Sequence, residues 1–226
     1  TEVIQDNVLN IALEELGSKQ PDNLFYSFVS LPGGKMSTRA GRVVYLDDMM
    51  DQIVNASFER LKKSDLSNNQ KRLLSEKIGI GSVRYNILKV QPEKGFTFRI
   101  DDALSIQGDS APFAMYSHAR MSSILRKYGE SIPEYKLESD LVESEIELIR
   151  LLAKWPQTIE LAVNKFAIHN IPSYIYQLSS KFNNFYRDCK VIGDTNEDLR
   201  INLVNISKRI LSDALDILGI EAPDRM

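Results

Sequence analysis

The sequence predicts a mainly α protein in which a short α/β tail of about 46 residues runs into successive helices. Three observations carry this reading. Residues 24–31 and 42–46 are aromatic and β-branched on either side of a polar, cationic loop, as paired strands would be. From Asp47 onward apolar residues recur at helical spacing. After residue 109 the connections are short and polar, as hairpins of packed helices require.

Each element has its own local reason. Val3, Ile4, Val8, Leu9, Ile11, Ala12 and Leu16 have helical spacing, with Gly17 as the stop. A strand is expected over Leu24–Leu31, a loop over 32–41 and a second strand from Arg42 to Leu46. Asp47 or Asp48 can cap a helix through about Lys63, and Ser67 or Asn68 a second through about Val90. Inside the second, Gly79 and Gly81 each cost about 1 kcal/mol relative to alanine, which predicts close packing or a kink. A turn at 91–95 leads to a strand-like piece at Phe96–Ile100. Pro112 then marks a helix start, since its missing N–H does no harm in a first turn. Helices are expected at 111–128, 138–154, 156–168, 172–187 and 196–218, with Gly219 as the last cap.

Composition narrows the function. Of 226 residues 43% are hydrophobic and 26% charged, which fits a folded globular chain and excludes disorder. No apolar stretch reaches the roughly 20 residues of a membrane span, and the first residues lack the pattern of a signal peptide, so a cytoplasmic protein is expected. One cysteine, Cys189, excludes an internal disulfide, and a count of two histidines argues against a structural zinc site. The net charge of −3 argues against nucleic-acid binding by overall charge, so any such contact must be local. A start at Thr1 without methionine, inside an expected helix, suggests a fragment.

Three clusters could carry chemistry. In the loop 33–41, Gly33 and Gly34 allow close approach, while Lys35, Ser37, Thr38 and Arg39 supply donors suited to a polyphosphate. It is not a Walker loop, and an ordinary cationic loop has the same composition. Phe113, Tyr116 and Arg120 fall at i, i+3 and i+7 and share a helix face that could either stack unpaired bases or enter the core. His118 points away from that face. His118 and His169 are both expected as packed or surface residues. In the run 182–189, Phe182 and Phe185 are expected in the core, Tyr186 and Arg187 outside, and Cys189 as a small buried hydrophobe. The acidic residues Glu138, Asp140, Glu143, Glu145 and Glu147 read as a solvated face, with the helix 111–128, ending in Arg126 and Lys127, as a candidate neighbour.

Four blocks, in this order, resemble arginyl-tRNA synthetases, which are class I aminoacyl-tRNA synthetases, over essentially the whole chain. Lys35-Met36-Ser37-Thr38-Arg39 is similar to the second class I signature. Ile78–Tyr85, Gly108–Phe113 with Tyr116–Arg120, and the ending Leu218–Met226 are similar to later blocks of that family. The resemblance implies the end of a class I nucleotide-binding α/β domain at 1–46, with its signature loop at 33–41. It also implies a stem-contact-like helical connector at 47–108 and an all-helical anticodon-binding bundle at 109–226. It implies ATP as substrate, with Mg in the whole enzyme and no metal held by protein, and arginine and tRNA-Arg as the other partners. No membrane or DNA partner is implied.

By the same resemblance Lys35, Ser37 and Arg39 are catalytic, and Lys35, Met36, Ser37, Thr38 and Arg39 contact ATP. Whether Lys35 or Arg39 makes the main phosphate contact stays open, because Thr38 stands where the signature usually has lysine. Phe113, Tyr116, Arg120, Tyr186 and Met226 would contact the anticodon loop, Phe113 standing where tyrosine is more usual. The first class I signature, His-x-Gly-His, is missing: the two histidines are 51 positions apart. The chain is therefore expected to be the C-terminal part of an arginine–tRNA ligase, inactive alone. The alternative is a non-catalytic helical module that binds RNA or protein.

Overall fold

Serine caps set the starts of two helices, at Asn68 and Ala111. Ser67 and Gln70 form a reciprocal box, the Gln70 N–H donating to Ser67 Oγ at 3.4 Å and the Ser67 N–H to Gln70 Oε1 at 2.9 Å. Ser110 Oγ accepts from the Phe113 N–H at 3.3 Å, with Pro112 in the first turn. The computed structural model describes residues 2–32, 45–135 and 137–226. Within them the helices are α1 (Glu2–Glu15), α2 (Leu46–Leu61), α3 (Asn68–Leu88), the single turn α4 (Ile100–Ala103), α5 (Ala111–Tyr128), α6 (Glu143–Leu152), α7 (Trp155–Asn164), α8 (Asn170–Asp188) and α9 (Glu197–Ile217). Two short strands, β1 (Val29–Ser30) and β2 (Phe96–Thr97), pair in parallel, Val29 opposite Phe96 and Ser30 opposite Thr97.

The mainly helical class is as expected, with four local corrections. Of the expected strand 24–31, β1 is the part that forms a ladder among the described residues, and Tyr26 is 83% and Phe28 90% exposed. The strand-like piece 96–100 yields only β2, since Ile100 already opens a helical turn. Of the expected strand 42–46, residues 42–44 lie outside the described residues, and Leu46 begins α2. Asp47 and Asp48 do not cap that helix. They sit in its first turn, where carboxylates favour the positive end of the helix dipole.

The fourth correction concerns the acidic helix. It begins at Glu143 rather than 138, because buried Asn196 Oδ1 accepts from the backbone N–H groups of Glu138 at 3.2 Å and Ser139 at 3.0 Å. Nor is it simply a solvated face or a neighbour of α5: α6 packs on α8 and α9. Glu145 is fully buried, with Arg200 Nε donating to its Oε1 at 2.7 Å, and Glu147 takes Lys181 at 2.8 Å. Arg200 also meets Asp194 at 3.1 Å and the Lys190 carbonyl at 2.9 Å.

One apolar core runs from the α2/α3 hairpin through α5 into α8 and α9. Ile53, Tyr85, Met115, Met121, Ile175, Phe182 and Leu211 are at its centre. Close approach explains the two helical glycines. A Cβ on Gly79 would lie 2.8 Å from Val54 Cγ2, and one on Gly81 would lie 2.6 Å from Met115 Cε and 2.9 Å from Ile220 Cγ2. The Tyr85 hydroxyl lies 2.7 Å from Asp109 Oδ1 and 2.9 Å from the Pro172 carbonyl, tying α3 to the starts of α5 and α8. Burial and the Asp109 carboxylate hold this phenol well above its ordinary pKa. Outside the core, α1 leaves Val3, Ile4, Val8 and Ile11 more than half exposed.

Candidate functional site

Helix α5 divides its sides between core and surface. Ala114, Met115, Ser117, His118 and Met121 face inward, whereas Phe113, Tyr116, Arg120 and Ser123 follow the i, i+3, i+7, i+10 line outward. On α8 the same logic exposes Tyr176 and Tyr186 with half-buried Asn183 between them, while Phe182 and Phe185 enter the core. The two outward lines meet because α5 packs against α8.

Arg120 is the centre of the meeting. Its guanidinium carbon lies 4.8 Å from the Tyr116 ring centroid and 5.2 Å from that of Tyr186. It donates to Asn183 Oδ1 at 2.8 Å and to the Tyr116 hydroxyl at 3.1 Å. Asn183 is oriented in turn, its amide donating to Ser117 Oγ at 3.3 Å, and that hydroxyl donates to the Phe113 carbonyl at 3.0 Å. Behind Tyr186, buried Phe182 lies nearly parallel, 19° between planes with centroids 6.3 Å apart. Two rings, 44% and 42% exposed, are thus held at fixed orientation around a cation. Each cation–ring contact at such exposure is worth about 0.5–1 kcal/mol, and the outer faces stay free to stack on a planar ligand.

Beside the cage is an open hollow of about 500 Å³ lined by Leu66, Tyr116, Arg120, Arg126, Arg225 and Met226 among others. Its far wall is the segment after α9. That segment returns across the bundle with Ile220 buried against Gly81 and the Gly219 carbonyl bonded by Arg84. Asp224 brings a side-chain carboxylate to the wall. Ser122 Oγ donates to it at 2.7 Å and Lys208 pairs with it at 3.0 Å, which together hold its carboxyl below the usual carboxylate range. With that charge already matched, Arg120, Arg126 and Arg225 make the hollow cationic on a chain whose net charge is −3. The hollow therefore suits an anionic ligand with flat, stackable groups.

The structure brings Tyr116, Arg120, Tyr186 and Met226 together. Phe113 stands one turn away, half-buried against Tyr176 with ring centroids 5.9 Å apart, outside the hollow. Lys35, Met36, Ser37, Thr38 and Arg39 lie outside the described residues. Sequence reasoning missed Asn183, Arg126, Arg225, Leu66 and Tyr176. Tyr176, Asn183 and Tyr186 are spaced by seven and three, so their shared face was available as a signal, whereas nothing local to Leu66 or Arg225 marked them. The expected core residues Phe182 and Phe185 are fully buried, and buried Cys189 has its thiol pushed up by desolvation.

The profile of the DALR anticodon binding domain matches residues 114–226. Over 223 residues the chain is 40% identical to the arginine–tRNA ligase of Methanobrevibacter smithii, covering 96% of this chain and 39% of that protein. It is 36% identical over 228 residues to the arginine–tRNA ligase of Methanosarcina mazei, covering 96% of this chain and 40% of that one. The solved arginyl-tRNA synthetase of Thermus thermophilus aligns with 98% of this chain and 39% of its own, with a TM-score of 0.86 at 27% identity. The chain spans about two fifths of the length of the curated relatives it matches.

Proposed function

The chain belongs to the DALR anticodon binding domain family, and we propose that it works as the C-terminal part of an arginine–tRNA ligase, holding the anticodon loop of tRNA-Arg. The observation that carries this reading is the Arg120 guanidinium fixed between Tyr116 and Tyr186 at the mouth of a cationic hollow. Anticodon bases are unpaired, and unpaired bases are read by stacking and by hydrogen bonds along their edges. Tyr116 and Tyr186 supply ring faces, Arg120 supplies edge donors, and Met226 closes the wall. Phe113 contributes indirectly, by packing on Tyr176. The net acidity of the chain is compatible with this, since the positive charge is gathered where the loop would sit.

The proposed organisation is a catalytic-domain end at 1–46, a helical connector at 47–108 and the anticodon-binding bundle at 109–226, the last supported by a family match that begins at Ala114. In the whole enzyme the arginine carboxylate attacks the α-phosphorus of ATP, the bond to the bridging oxygen breaks, and pyrophosphate leaves. The arginyl adenylate then passes its acyl group to the tRNA 3′ end. Lys35, Ser37 and Arg39 are proposed to match the charge growing on the leaving phosphates, with Met36 and Thr38 completing the ATP contact. Among the described residues no group of three or more His, Cys, Asp or Glu side chains converges. Magnesium would arrive with ATP.

No helix among the described residues is long and apolar enough to cross a membrane. A cytoplasmic setting in translation is part of the proposal. Titrating the chain with tRNA-Arg and with a tRNA of another specificity tests it. Selective binding of tRNA-Arg is the expected result, with no arginine-dependent ATP–pyrophosphate exchange by this chain alone. Equal binding of both tRNAs would overturn the anticodon reading and leave an unselective RNA-binding module, and no binding of either would leave a protein-interaction module.

A further inference from the structure

We propose that His118 is a positioning residue for this site, holding Arg225 and Met226 in the hollow by fixing the backbone two and three residues before them. The proposal rests on the anticodon reading for its function, and on geometry for its mechanism. His118 lies on the opposite side of α5 from the cage and is only 3% exposed. Its Nδ1 is 3.0 Å from the Pro223 carbonyl oxygen, 105 positions along the chain. In the neutral ring with hydrogen on Nδ1, that nitrogen donates to the carbonyl. Nε2 is buried without a partner among the described residues, so the Pro223 bond is what orients the ring.

His118, Ser122 and Arg126 are spaced by four and form a rail along one side of α5. They engage consecutive tail groups: the Pro223 carbonyl, the Asp224 carboxylate at 2.7 Å and the Asp224 carbonyl at 3.1 Å. The Ser122 contact to the Asp224 carboxylate is part-buried and the Arg126 contact is open to water, whereas the His118 contact is fully buried, so its loss leaves an unpaired carbonyl under the helix. Upstream, Ile220 is 2% exposed and anchors the tail independently. Losing His118 therefore loosens residues 223–226, which keep the Asp224 contacts and the packing of Met226 on the core, without detaching the whole segment. One helix thus reads the RNA with its outer line and sets the position of the chain's own tail with its inner one.

The test uses the full 226-residue chain, an anticodon stem-loop of tRNA-Arg, the variants His118→Leu and His118→Asn, and a deletion of Arg225 and Met226. The asparagine amide can donate to the same carbonyl. His118→Leu is expected to weaken stem-loop binding about tenfold, and His118→Asn to stay within about twofold. Added to the deletion, His118→Leu should cost nothing further. Independently of RNA, the ¹³C-methyl signal of Met226 should narrow and move towards its random-coil position in His118→Leu but not in His118→Asn. An unmoved Met226 signal, or a His118→Leu loss equally large in the deleted chain, overturns the positioning role. If Met226 is released by His118→Leu while the deletion leaves stem-loop affinity unchanged, positioning stands and the anticodon role of Met226 falls.

Discussion

Just past the end of α8 Arg200 is desolvated, its Nε 2.7 Å from a carboxylate with no exposure at all; on the outer faces of α5 and α8, Arg120 lies between two tyrosine rings that remain more than 40% exposed. Both guanidiniums are held by several partners, yet the partners differ in kind. Arg200 is matched by Glu145 and Asp194, so its charge is spent inside the fold. Arg120 meets an amide oxygen, a hydroxyl and two π faces, none of which carries a full negative charge. Its orientation is fixed while its charge stays available to a ligand. Net charge alone does not separate these uses; the identity of the acceptors does.

The sharpest way to break that contrast is Glu145→Ala. A buried guanidinium would lose its main acceptor, and the expected cost is about 3 kcal/mol of folding stability, read by urea denaturation, with stem-loop affinity unchanged in the folded fraction. The converse is Tyr116→Ala or Tyr186→Ala, which should lower stem-loop affinity by about 1–3 kcal/mol through lost stacking. Little change in melting temperature is expected for either. An unchanged affinity with an intact fold would return these rings to a packing role. Next in size, Arg120→Lys keeps the charge but gives up the planar fork; affinity should fall about fivefold, by roughly one hydrogen bond.

A smaller effect appears in pH dependence. Burial, outweighing the hydrogen bond to Pro223, pulls His118 below its ordinary pKa, so the unfolded chain binds its proton more readily than the folded one. The groups facing it are Lys208 from α9, which adds to the lowering, and Asp224 from the tail, which opposes it. Its stabilising contribution is complete above about 6.5, the unfolded value, and is lost as pH falls below that. Denaturation midpoints measured from pH 7.5 to 5 should decline less in His118→Asn than in the parent chain. Equal slopes would remove His118 from the titration.

The cage was legible in the sequence because the residues of each helix line lie within one helix and obey its period. The spacing of Phe113, Tyr116 and Arg120 defined the α5 line, and the run from Phe182 to Tyr186 already separated core from surface. What stayed hidden depends on chain segments far apart. Glu145 looked like one more solvated acid, since nothing nearby indicates that it meets Arg200 across 55 positions. The tail wall depends on His118 reaching Pro223. Among the described residues the expected strand at 24–31 pairs only at Val29 and Ser30, because β-branched and aromatic composition marks a segment able to pair without identifying its partner.

That two-residue ladder has a kinetic consequence. Ser30 and Thr97 are 67 positions apart, and closing so long a loop costs entropy that two residue pairs and two contacts of the Ser30 hydroxyl, at 3.1 and 3.2 Å, do little to offset. The α2/α3 hairpin closes over a handful of residues, and α5, α8 and α9 bury a continuous core. In amide hydrogen exchange, β1 and the segment before it should therefore open first and re-form last, while the bundle stays protected, so the two ends of the chain behave as separate cooperative units.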